Sequence, residues 1–147
     1  MKQFWLGAAL AGWAGMAAAA DMVSYTTSES FDDVIFGLEN AILDAGLVVD
    51  SVSHVGEMLN RTGADVGSDV VLFLEADVLS FCSAVVSRKV MEADPMNIVF
   101  CPYDIFVARS PEAPDTVTIG YRSFPEGPMQ EVQALLDRIT RAAIGLD

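Results

Sequence analysis

An apolar repeat with a marked beginning and end does most to limit what this chain can fold into. Phe31, Val34, Ile35, Leu38 and Ile42 recur at the helical period, which puts them on one face of a helix. Ser30 stands where an N-cap belongs, Asp32 and Asp33 fill the first turn where the helix dipole favours negative charge, and Gly46 follows as a stop. A helix with one apolar face must bury it against another element. Strand-like segments on either side, Val23 to Thr27 and the β-branched stretch Leu47 to Val55, provide a sheet for that purpose.

The same reading extends along the chain. Val55 to Thr62 predicts a short helix that turns Met58 and Leu59 inward, followed by a break from Gly63 to Asp69. The apolar run Val70 to Leu74 reads as a central strand covered on both faces. Glu75 and Asp77 then fall in the turn after it, with Asp77 capping a helix from Val78 to Ala93 that Asp94-Pro95 terminates. Ile98 to Arg109 and Thr116 to Arg122 predict a hairpin, and Pro128 opens a final helix carrying Val132, Leu135, Leu136, Ile139 and Ala143. The expected fold is α/β of the α+β type: a single compact domain over residues 21–147, with a mixed sheet and a C-terminal hairpin packed against helices.

Residues 1–20 read differently from the rest. Lys2, the apolar run Phe4 to Trp13 and Ala18-Ala19-Ala20 before Asp21 follow the order of a secretory signal peptide. The segment predicts cleavage near Ala20/Asp21 and a periplasmic or secreted protein, with no stable membrane insertion afterwards. The formal charge of the chain is −13. Such a surface repels phosphate backbones, which argues against nucleic acid and leaves a basic protein partner or a small ligand.

Several of these segments together resemble the bacterial family known as domain of unknown function 302. The resemblance rests on the helix Phe31 to Ala45 ending in Gly46, the strand leading to His54, Cys101-Pro102 where the family tends to have Leu-Pro, and the last strand Val117 to Tyr121. Two departures stand out: Glu75-Ala76-Asp77 replaces a Gly-Asn-Pro-like loop, and both cysteines are additional. The resemblance implies a compact α/β domain, often exported or found alone, and no established reaction.

Few residues offer chemistry. Cys82 and Cys101 lie nineteen apart, unlike the close pairs of zinc or thioredoxin-like motifs. In an oxidising compartment two cysteines suit a disulfide, yet they equally suit a buried apolar pair, a redox-active pair or a site for a soft metal such as copper(I). Counting back along the expected helix and forward along the expected strand from Pro95 brings both thiols to similar heights. His54 is the single histidine; with no partner visible beside it, a general-base role lacks support, although His54 and Met58 make a soft-ligand pair if that stretch is helical. Glu75 follows the expected central strand, where ligands of α/β sheets often bind. No G-x-S-x-G motif, phosphate-binding glycine loop or four-ligand metal framework is present in the sequence. The first expectation is therefore a non-enzymatic exported binding or accessory module with its contact zone around His54, Glu75, Cys82 and Cys101. A thiol-based redox or sulfur-handling protein, or a copper-binding one, is the alternative.

Overall fold

A computed structural model describes residues 21–146. The signal-peptide expectation falls on residues 1–20 and lies outside the described residues. Five strands form one sheet: β1 (Met22–Thr27), β2 (Val49–Ser53), β3 (Glu75–Phe81), β4 (Tyr103–Arg109) and β5 (Val117–Arg122), in the spatial order β1-β5-β4-β3-β2. All four ladders are antiparallel. The α/β class, the C-terminal hairpin and the helical cover are as expected, while the mixture of strand directions gives way to a uniform one. The chain reverses between every neighbouring pair, so no parallel crossover arises.

Helix α1 (Phe31–Asp44) follows the expected pattern closely. Ser30 Oγ accepts from the Asp33 amide at 3.1 Å, and Gly46 takes a positive φ of 76° that ends the helix. Its apolar face, with Val34, Leu38 and Ile42 fully buried, lies on the sheet beside α4 (Gln130–Ala143). The two helices approach closely at Gly37, where an added Cβ would overlap the Ala143 carbonyl oxygen. Strand alternation supplies the other half of the core: Leu79, Phe81, Tyr103, Ile105, Val107, Val117, Ile119 and Tyr121 all belong to it. Tyr25 and Tyr121 both donate to Asp137 Oδ1 on α4, at 2.6 and 2.9 Å.

The middle of the chain departs from expectation. Val70 to Leu74 is not a strand; its residues precede β3, with Val70, Val71 and Leu72 exposed. The strand begins at Glu75, so Asp77 sits within β3 instead of capping a helix. Helix α3 (Ala84–Ala93) is shorter than expected and is capped by Ser83, whose Oγ accepts from the Val86 amide at 3.3 Å. Ile98 to Phe100 belong to a 3-10 turn, Pro95–Phe100, and β4 starts only after the cis Cys101-Pro102 peptide. Helix α2 (Val55–Thr62) has the expected bounds, but Met58 is exposed and Gly56 is its buried residue, set against the backbone of Glu75 and Ala76.

Candidate functional site

β3 separates the expected contact zone into two. Glu75 opens the strand and Cys82 follows its last residue, a separation of roughly 23 Å of extended chain. His54 joins Glu75 at one end, and Cys101 joins Cys82 at the other.

At the first end, the β2–β3 register brings Ser53 opposite Val78, and the next step outward sets His54 against Asp77. His54 Nδ1 and Asp77 Oδ1 lie 2.9 Å apart, with the imidazole 61% exposed and the carboxylate 15%. The partner that the sequence did not reveal is thus twenty-three residues away and supplied by strand pairing. A carboxylate on one ring nitrogen fixes the orientation of the imidazole and leaves the other nitrogen for a ligand or a proton. The stretch from Val55 to Thr62 is helical and Met58 is exposed one turn beyond His54; among the described residues, no group of three or more histidine, cysteine or carboxylate side chains is placed to hold a metal ion.

Beside this pair, Glu75 meets Arg109 from the directly registered position on β4. Arg109 Nη2 lies 2.8 Å from Glu75 Oε2, while Nη1 donates to the Pro114 carbonyl at 3.3 Å. Glu75 Oε2 is held by the guanidinium charge outside hydrogen-bond alignment, and Arg109 Nε is buried without a hydrogen-bond partner. Buried polar atoms in that condition are uncommon. Two adjoining cavities open here, of about 370 and 570 Å³, sharing Phe31 and Glu75 in their walls. The first includes the start of α1 and Arg109; the second includes His54, Asp77 and the Glu57, Asn60 and Arg61 side of α2. In the sequence Arg109 marks only the end of a strand, because its register opposite Glu75 is what gives it meaning.

At the second end, Cys82 Sγ and Cys101 Sγ stand 3.9 Å apart as free thiols. Disulfide sulfurs are bonded at about 2.05 Å, so the two are neighbours and not a bridge. The Phe81–Tyr103 register carries the two cysteines together across neighbouring strand ends, by a route other than the helix expected for Cys82. Ser87 Oγ lies 3.6 Å from Cys101 Sγ and 2.9 Å from the Tyr103 hydroxyl. Cys82 is exposed as a residue, yet partial desolvation of its sulfur, followed by the charge of Cys101, pushes the thiol up to about 11, and burial raises Tyr103 to about 12.

With both ends described, comparison with known proteins places the chain. The model of the family described as domain of unknown function DUF302 matches residues 23–142, nearly the whole described region. The chain belongs to the DUF302 family. Among solved structures, this DUF302 protein is similar to the uncharacterised conserved protein DUF302 from Bacillus stearothermophilus, with a TM-score of 0.61 and 18% identity. That match covers 86% of this chain and 98% of the other. At such identity the likeness carries the fold alone. Comparison with curated proteins finds no match.

Proposed function

We propose that this DUF302 protein is an exported binding module whose ligand seat is the double cavity around His54, Glu75, Asp77 and Arg109. The observation that carries the reading is the convergence of an oriented imidazole and an imperfectly bonded Glu75–Arg109 pair on two adjoining cavities. Binding sites combine concave shape with a few convergent polar groups in this way. The walls carry Glu29, Asp32, Glu57, Asp77 and Asp115 besides Glu75, against Arg61 and Arg109. That balance favours a small polar ligand bearing an amine over an anion.

A thiol nucleophile is the weaker reading of the same protein. Reactive cysteines hold depressed pKa values, and the upward displacement of Cys82 runs the other way.

Amide chemical shifts of isotope-labelled protein, titrated with putrescine and separately with succinate, test the seat. Putrescine should move signals from residues 54–61, 75–77 and 109–115, and Glu75→Gln should weaken the response. Silence toward putrescine, or a response to succinate alone, overturns the amine reading. Export is tested by fractionating a bacterial host that makes the full chain and taking the intact mass: periplasmic protein beginning near Asp21 supports it, and cytosolic protein retaining Met1 refutes it.

A further inference from the structure

We propose that Cys82 and Cys101 form a two-coordinate site for a soft monovalent metal ion, copper(I) being the biological case. The site lies at the opposite end of β3 from the cavity and does not depend on the amine reading.

Spacing is the first argument. Metal–thiolate bonds are about 2.3 Å long for zinc, so two sulfurs flanking one ion of comparable size are at most about 4.6 Å apart when collinear with it. The observed 3.9 Å falls inside that span and well outside the bonded distance of about 2.05 Å. With bonds of about 2.3 Å, that spacing would hold the ion at a bent angle of about 116°, and the collinear limit is reached when the sulfurs part by about 0.7 Å.

The ligand set is the second. Thiolates are soft donors that select copper(I), zinc or iron–sulfur clusters. Zinc requires four ligands in a structural site and three in a catalytic one. No third histidine, cysteine or carboxylate among the described residues joins the two sulfurs. Two thiolates alone therefore suit an ion content with two partners, and calcium or magnesium, which demand six or more oxygens, are excluded.

The surroundings are the third. Cys82 is exposed and provides entry, while Cys101 is half-buried. Ser87 Oγ, within hydrogen-bond reach of the Tyr103 hydroxyl, stands 3.6 Å from Cys101 Sγ. A polar group beside a ligand sulfur orients it. On binding, two thiol protons leave and two metal–sulfur bonds form; the ion and two thiolates together carry one negative charge, and no electron is transferred.

Reduced protein handled without oxygen and titrated with copper(I) held by bicinchoninate decides the matter. One equivalent should pass to each chain with release of two protons, and X-ray absorption should show sulfur as the sole near neighbour. Removal of a ligand costs at least what loss of a supporting group does, about 10–100-fold in affinity, so Cys82→Ser and Cys101→Ser should each weaken retention by that much or more. The response of the cavity to putrescine should stay as in the parent chain. If Cys101→Ser fails to fold, the exposed Cys82→Ser position gives the answer alone. Copper left with the indicator, or copper retained equally by folded Cys82→Ser, overturns the proposal.

Discussion

His54 Nδ1 lies 2.9 Å from Asp77 Oδ1, one step beyond the registered pair Ser53 and Val78. Exposed ion pairs of this kind contribute about 0–1 kcal/mol to stability, and His54 is largely in solvent. His54→Ala should therefore leave the unfolding free energy within about 1 kcal/mol of the parent, while weakening ligand binding at the cavity. Urea denaturation alongside the putrescine titration separates the two effects; a large loss of stability would show that the pair serves the fold.

The start of α1 forms part of the cavity wall and depends on Ser30, whose Oγ accepts from the Asp33 amide at 3.1 Å. Ser30→Ala removes that acceptor and should cost about 1 kcal/mol. Thermal unfolding measures the loss, and an unchanged midpoint would mean that the cap is replaced by water.

Gly37 is set against the carbonyl of Ala143 where α1 meets α4. Alanine would ordinarily gain about 1 kcal/mol of helix propensity, but here its methyl group meets backbone that cannot swing aside. Overpacking typically costs about 1–3 kcal/mol, so Gly37→Ala should be net destabilising by urea denaturation. A stabilised variant would show that the two helices slide apart freely.

Alkaline pH should weaken the fold. The Tyr121 hydroxyl is held above its ordinary value, first by burial and then by donation to Asp137. Unfolded tyrosine ionises near pH 10; above that, the unfolded chain sheds protons that the folded chain keeps. The contribution is therefore complete below about pH 10 and is lost as pH rises toward the folded value. Tyr121→Phe should flatten, without abolishing, the fall in urea midpoint between pH 9 and pH 11, because Tyr103 is also raised, to about 12.

Local signals were legible where they agreed with one another. The Ser30 cap, the apolar stripe and Gly46 all point to α1, and α2 and the strand from Val117 to Arg122 followed equally well from pattern. Between Val70 and Ala93 two signals competed. Val70 to Leu74 has the apolarity of a buried strand, yet the chain runs it outside the sheet; Leu79 and Phe81 point inward at strand period, while Leu79, Cys82, Val86 and Val90 also fit a helical stripe. Periodicity over so few residues cannot arbitrate, and burial against β4 decided the outcome. The sites were obscure for a related reason. Asp77 matters to His54 and Arg109 to Glu75 only through register between strands distant in sequence, whereas the two cysteines were already a candidate pair and register supplied only the route that joins them.

Met22 pairs with Arg122 and Thr27 with Val117, and Ser123 Oγ donates to the Asp21 carbonyl across 102 residues. Strand β1 must therefore wait for β5, the last strand of the sheet to be made, before it can pair. Until β5 emerges, the nascent polypeptide carries a strand with no partner, and such edges invite pairing with other chains. A product that stops short of Val117 keeps that edge permanently, which makes truncation a greater aggregation hazard for this topology than loss of the terminal residues beyond α4.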